Sequence, residues 1–322
     1  MKTRDRPSTL TGGQAAPSGT PRRTRGRGPR QERAVTWLFL LPALIYIALF
    51  FGYPIVKNAI MGSQDYTTAT FYTGSAPWVG WANYSSFLSS SLAGTTFLNT
   101  AVFTVGSIAG QFTIGMAIAL FFRRRFPLSG LLRSLLLLLP WLLPLIAGAA
   151  VWRWILDQDS GVLNSTLLHL HLVSTSVPWL SSPGMALYSG IIVNVWIGIP
   201  FNVTLLYSGM QGIPEEHYEA AAIDGAVGWK AFRYITWPAL RPIVTVVLVL
   251  GVIYTLKVVD IILGLTGGGP ANATQTLATT AYQDSFVRFA FGQGAAVNNI
   301  LLVVSLLFAG LYLRVNRRAS DE

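Results

Sequence analysis

The chain has 322 residues, 52% of them hydrophobic and only 11% charged, with a formal net charge of +10. Soluble domains carry roughly 25% charged residues, so this composition excludes a soluble globular protein and points to an all-α polytopic membrane protein. Cysteine is absent, which excludes disulfides, thiol catalysis and zinc–thiolate sites.

Residues 1–34 are rich in Arg, Gly, Pro, Ser and Thr and are expected to form a disordered basic tail, either weakly drawn to anionic lipid or simply solvated. The apolar stretch after Arg22 and Arg23 is too long for a signal-peptide core and no small-residue cleavage site follows, so the first span is read as retained. Six apolar stretches reach the ~20 residues that a bilayer core requires. They lie near 35–57, 97–122, 131–156, 186–210, 239–263 and 293–313, within one transmembrane domain of 35–315 followed by a short tail, 316–322. Pro42 and Pro54 fall in the first span, and Gly106, Gly110 and Gly115 in the second let another helix approach closely. Pro140 and Pro144 are expected to break the third helix locally, and Arg153 and Asp157, one turn apart near its end, are placed to pair or to reach the interface.

Nineteen of the 23 Lys and Arg residues fall in 1–34, 123–134, 211–242 and 314–322, and the intervening loops 58–96, 157–185 and 264–292 hold Arg288 alone. The positive-inside rule then places both termini and residues 211–242 in the cytoplasm, and the basic excess needs no nucleic acid. His169 and His171 lack neighbouring carboxylates, so no metal site is expected. Gly267-Gly268-Gly269-Pro270 is a turn poor in side chains and not a nucleotide loop, because no Gly-Lys-Ser/Thr follows it.

Residues 213–242 form a polar island between two apolar spans. Pro214 suits a helix start, Glu215 and Glu216 favour the positive end of its dipole, Ala220, Ala221 and Ala222 make a slim face, and Gly225 can close the helix. A second short helix is expected over Ala226–Ile235, with Pro238 and Pro242 marking the start of the next span.

Glu219-Ala220-Ala221, Asp224-Gly225-Ala226, Phe232, Ile235, Pro238 and Pro242 resemble the EAA loop of membrane subunits in binding-protein-dependent ABC importers. Gly80, Asn83 and Tyr84, the opening Asn99-Thr100 of the second span and Leu265-Thr266-Gly267-Gly268-Gly269-Pro270 resemble the carbohydrate branch of that family, the maltose and glycerol-phosphate type. The resemblance implies a six-helix type I permease fold in a bacterial cytoplasmic membrane, with a coupling loop at 213–238. It implies a sister permease, a homodimeric cytoplasmic ATPase and an extracytoplasmic solute-binding protein as partners, with ATP and Mg held by the ATPase and no cofactor on this chain. It also implies that Glu219 pairs with the ATPase, that Ala220 and Ala221 keep the helix thin, that Asp224 offers a further charge and that Gly225 turns the chain.

Intramembrane polar residues are costly and are functional candidates. Asn194 and Trp196 in the fourth span, Tyr254, Lys257 and Asp260 in the fifth and Asn298 in the sixth are the candidates for a sugar pathway, alongside Asn202 and Asn299. Rings stack on the CH faces of sugars, and amides and carboxylates pair with hydroxyls. Lys257 and Asp260, three apart, are expected to share a helix face, although Val259 stands where the family usually has an aromatic residue. The competing reading is that these groups join helices through buried hydrogen bonds. A non-sugar solute such as a polyamine or phosphate, a secondary carrier and a membrane enzyme are the alternatives. The enzyme would need a catalytic set that the sequence lacks, and the EAA island speaks against the carrier.

Overall fold

The computed structural model describes residues 29–124 and 126–320, all helix and loop, with no strand among them. The chain divides into two compact units, Met1–Pro54 and Ile55–Glu322, a division that falls inside the predicted first span. The predicted disordered tail lies outside the described residues up to 28, but α1 (Pro29–Ile47) begins within the stretch assigned to it. A π-helical segment, Ala48–Gly52, follows α1. It ends where Pro54 cannot supply an amide hydrogen, the usual setting for such a widened turn. Side chains from Trp37 onward, such as Phe39 and Phe50, are exposed, as hydrocarbon-facing groups should be.

α2 (Tyr53–Gly62) starts two residues before the division, and the helices that follow it in the second unit are α3 (Thr68–Thr73), α4 (Ala82–Leu88), α5 (Ser91–Arg123), α6 (Ser129–Leu142), α7 (Leu145–Ile155), α8 (Val162–His169), α9 (Pro183–Gln211), α10 (Glu215–Ile223), α11 (Trp229–Ala231), α12 (Trp237–Leu256), α13 (Asp260–Leu265), α14 (Leu277–Tyr282) and α15 (Phe291–Ser320). Among the described residues, five helical runs are long and apolar enough to cross a membrane: Trp37–Gly62, Ser91–Arg123, Pro183–Gln211, Trp229–Leu256 and Phe291–Gly310. The third predicted span is met by α6 and α7 instead. Leu143, forced out of the helical region by Pro144, adopts ψ 130 between them. Pro140 leaves α6 unbroken. The predicted C-terminal tail is helical as far as Ser320.

The spine of the second unit is the α5–α9 pair. A methyl group added at Gly110 would come within 2.6 Å of Val195, and one at Gly115 within 2.6 Å of Asn202 Cβ. Gly106 similarly faces Ile191. Small residues at these three positions therefore set how closely the helices approach, as membrane packing without a hydrophobic drive requires. Gln111 lies against Gly198 and donates from Nε2 to the carbonyl oxygen of Asn194 at 3.0 Å. Around this seam lie three apolar clusters, built respectively on Met116, Val203 and Leu240, on Ala149, Val193 and Ile261, and on Phe103, Leu187 and Ile262. A fourth cluster joins Leu277 and Val297 to Val252.

At the other end from α10, the elements that resembled the carbohydrate branch are structural joints. Asn83 Nδ2 donates to the carbonyls of Gly62 and Gln64 at 3.0 and 2.9 Å. Asn299 Nδ2 donates to Tyr84 Oη at 3.0 Å and Asn58 Nδ2 donates to Asn299 Oδ1 at 2.7 Å. Asn99 and Thr100 are buried two turns into α5, not at its start, because the helix begins at Ser91. Asn99 donates to the Gln275 carbonyl at 3.0 Å, and Thr100 Oγ1 accepts from Leu277 N at 2.9 Å. The glycine turn uses left-handed backbone at Gly267 and Gly268 (φ 63 and 94). It is fastened by Gln283 Nε2 to the Gly267 carbonyl at 2.8 Å, while Gln275 Nε2 donates to Gln283 Oε1 at 2.6 Å.

Asp157 does not meet Arg153 directly. Its Oδ1 caps the following turn, accepting from Ser160 N and Oγ at 2.8 Å each, and these bonds, chiefly the backbone one, hold its carboxyl below the usual value. Asp284, beside the glycine turn, is 5% exposed and pairs with Arg288 Nη1 at 2.7 Å. Burial raises its carboxyl above the ordinary 3.8, and Arg288 opposes that rise.

Two predictions arise here. Gly110→Leu or Gly115→Val overpacks the seam at a cost of about 1–3 kcal/mol, whereas Gly94→Ala, with nothing within 4 Å, is tolerated; thermal melting of the detergent-extracted protein reads the difference. Asp284 keeps its proton in the folded state after the unfolded chain has released it, so its contribution to stability is greatest below pH 3.8 and declines as pH rises through the raised folded value. Asp284→Asn removes that decline, and a pH series of melting temperatures for the two proteins shows it.

Candidate functional site

The polar island folds as a helix, a turn and the base of the next span. Pro214 (φ −57, ψ 139) precedes α10, and Glu215 and Glu216 occupy its first turn, where the helix dipole favours them. Asp224 follows as the last cap, and Gly225 takes φ +70. The Gly225 amide donates to the Ala222 carbonyl at 3.0 Å and the Ala226 amide to the Ala221 carbonyl at 2.8 Å. This double closure, a Schellman motif, turns the chain through a residue that needs no Cβ.

No side chain of α10 is buried. Glu219, Ala220, Ala222 and Asp224 are exposed and Ala221 is half-buried, so the acidic groups and the slim alanine face look outward. A single residue anchors the helix. Tyr218 has its hydroxyl 3.0 Å from Thr236 Oγ1 and its ring under the Arg123 guanidinium, 3.6 Å from the centroid. Sequence reasoning does not single out Tyr218; its signal is the one phenol ring in a helix otherwise made of Glu, Ala, His217 and the terminal Ile223. Four large side chains at and beyond the end of the helix are also open to solvent: Ile223 (87% exposed), Val227, Trp229 and Tyr234. Large side chains left open along a polar loop are available to a partner.

The expected second short helix, Ala226–Ile235, is not a separate element. After Gly228 (φ 58) the chain is helical from Trp229 to Leu256. Pro238 lacks the amide that would bond to the Tyr234 carbonyl, and the turn Phe232–Thr236 widens to a π-helix, with Trp237 N bonded to the Phe232 carbonyl. The next span therefore begins nine residues before Pro238.

The pathway candidates separate into different settings. Asn194 is 4% exposed in the α5–α9 seam, its carbonyl taken by Gln111. Asn202 is buried too and donates to the Gly198 carbonyl at 2.9 Å. Trp196 is half-buried, edge-on to Trp152 at 5.7 Å. Tyr254 and Lys257 do come together: Lys257 Nζ sits 4.9 Å from the Tyr254 ring centroid, and that ring is edge-on to Phe201 at 6.0 Å. Lys257 and Asp260 do not share a helix face. Lys257 caps α12, and Asp260 opens α13, where its charge suits the dipole. Between them Val258 and Val259 pack into the apolar clusters, which the unbroken helix of the expectation would not allow. Asn298 is exposed and makes no inter-helix bond among the described residues, while its neighbour Asn299 does that work. His169 Nδ1 lies 2.7 Å from the Ser165 carbonyl, and no group of metal-ligating residues occurs among the described residues.

Known proteins resemble this chain in sequence and in fold. A probable ABC transporter permease protein of Brucella suis biovar 1 is 32% identical over 91% of this chain and 100% of its own length. The trehalose/maltose transport system permease protein MalF of Thermococcus litoralis is 33% identical over 90% of this chain and 96% of its own. The fold also matches the crystal structure of a bacterial alginate ABC transporter in complex with alginate pentasaccharide-bound periplasmic protein, with a TM-score of 0.75 at 20% identity over 90% of this chain and 96% of that one. The sequence model of the binding-protein-dependent transport system inner membrane component matches residues 111–321. With two-thirds of its length inside that match and the α10 loop at its centre, this chain belongs to the family of inner-membrane components of binding-protein-dependent transport systems.

Proposed function

We propose that the chain is a permease subunit that carries a sugar, or a related polyol or glycerol phosphate, across the bacterial cytoplasmic membrane by alternating access. The observation that carries this reading is α10: a capped helix with no buried side chain, held through Tyr218 and flanked by exposed Ile223 and Trp229. Such an element offers an exposed surface on one side and is joined through Tyr218 and Thr236 to the span Trp229–Leu256 on the other. A separate dimeric ATPase that binds ATP and Mg is the partner of that interface. Glu219 and Asp224 offer it charge, and Ala220 and Ala221 let it approach. The distribution of Lys and Arg supports a cytoplasmic position for this loop and for both termini.

A movement of α10 passes through Tyr218 to α5 by way of Arg123 and to the next span by way of Thr236. A second permease completes the pathway, and an extracytoplasmic solute-binding protein delivers the solute at the end bearing the glycine turn. The similarity to a trehalose/maltose permease supports a carbohydrate. Tyr254, open on one side and carrying Lys257 beside it, is the pathway candidate best placed to stack on a sugar ring. Trp196, Asp260 and Asn298 remain candidates with it; Asn194 serves the pathway through the seam that it helps to hold.

Two outcomes test this. Reversal of an interfacial charge costs about 2–5 kcal/mol, so Glu219→Lys should cut uptake more than tenfold while the protein still inserts and an ATPase still hydrolyses ATP; Gly225→Val, which places a branched residue at φ +70, should do likewise. Normal uptake by both variants at normal expression would refute the coupling role. Tyr254→Ala should lower uptake and alter the range of sugars accepted, and Asn298→Ala should weaken transport less; transport of labelled maltose and trehalose into vesicles measures both.

A further inference from the structure

The end of the bundle that carries α10 contains a cavity of about 1130 Å³. Arg123 and Arg124, at the end of α5, form one wall, and Trp229 and Phe232 form another. Leu120 and Met210 supply apolar floor. A third guanidinium, that of Arg133, lies 4.5 Å from the ring centroid of Tyr207, which also lines the space. Glu215 is the one carboxylate among the lining residues described, so the cavity is net positive.

We propose that this cavity binds the phosphate of an anionic phospholipid, with Arg124 and Arg123 on the phosphate oxygens and Leu120 and Met210 against the first methylenes of an acyl chain. Three features favour a lipid. Guanidinium groups match phosphate geometry with paired hydrogen bonds. The volume exceeds the roughly 300–1,000 Å³ of ordinary small-ligand pockets and far exceeds a bare phosphate. The cavity also sits where three apolar helical runs end together, at Arg123, Gln211 and Trp229, amid aromatic rings typical of the headgroup level. Basic pockets between helices on the cytoplasmic side are suited to anionic headgroups.

The site has a consequence for the loop. Arg123 both lines the cavity and stacks on Tyr218, the anchor of α10. A phosphate that draws on Arg123 shifts the joint through which α10 is held, so lipid composition adjusts coupling. This inference rests on reading that end of the bundle as the cytoplasmic membrane surface, but not on the identity of the solute.

The test uses the full-length chain with its co-purifying subunits in phosphatidylcholine nanodiscs, where both faces meet the same lipid whatever the orientation. Acyl-brominated phosphatidylglycerol or brominated phosphatidylcholine is titrated in, and the quenching of Trp229 is taken as the difference from Trp229→Phe. Brominated phosphatidylglycerol should quench Trp229 selectively. Arg124→Gln should weaken its apparent affinity about fivefold, and Arg124→Lys should largely retain it, which guards against a misfolded variant. Soluble glycerol phosphate should leave the quenching unchanged. Equal quenching by the two lipids, indifference to Arg124→Gln, or absence of quenching because protein fills the space would each overturn the proposal. Displacement by soluble glycerol phosphate would overturn it too and assign the cavity to a free phosphate ester. Loss of coupling in Glu219→Lys with lipid binding intact separates this inference from the function proposed above.

Discussion

The close seam between α5 and α9 is the constraint on which the remainder depends. In hydrocarbon, apolar side chains gain little by leaving lipid for one another, so helix association rests on contact and on hydrogen bonds. Gly106, Gly110 and Gly115 supply the contact, and Gln111 supplies the bond, reaching the Asn194 carbonyl across the gap. At one end of α5, Asn99 and Thr100 hold the segment that follows the glycine turn. At its other end, Arg123 covers Tyr218 and so meets α10. One helix of 33 residues therefore touches both regions where partners are proposed to dock.

The two ends are built on opposite principles. Around the glycine turn, polar side chains satisfy one another internally: buried Gln275, Thr279 and Thr280 form a network that half-buried Gln283 joins, and Asp284 is paired although burial raises its pKa. The α10 end leaves its charges and several large apolar groups in the open and relies on one tyrosine for attachment. The coupling role proposed for α10 requires a lever held at one point and free elsewhere, and its exposed surface suits that requirement. The basic cavity beside it gives the membrane a place at the same joint.

Much of this was legible in the residues. The positions of Pro214, Glu215 and Gly225 follow from where a helix lacks donors, where its dipole is positive and where a left-handed turn needs no Cβ. The Leu143–Pro144 break follows from proline sterics. The separation of Lys257 from Asp260 was not legible, because the spacing of three is equally compatible with a continuous helix. The break appears only when Val258 and Val259 are seen packed into the clusters formed by other elements. The exchange of roles between Asn298 and Asn299 has the same origin: both amides are polar and adjacent, and only the position of Tyr84 and Asn58 decides which one is used.

The sequence alone determined the membrane class, the number of long apolar runs to within the one that proline divides, the polar loop and its caps, because these depend on composition and on interactions a few residues apart. The family followed from that same loop. Tertiary structure alone decided that Asn194 lies buried in a seam, that Tyr254 and Lys257 share a surface, that Tyr218 is the anchor of α10 and that two arginines line a cavity beside it. Each of these joins residues tens of positions apart, and local periodicity carries no information about which distant helix a face will meet.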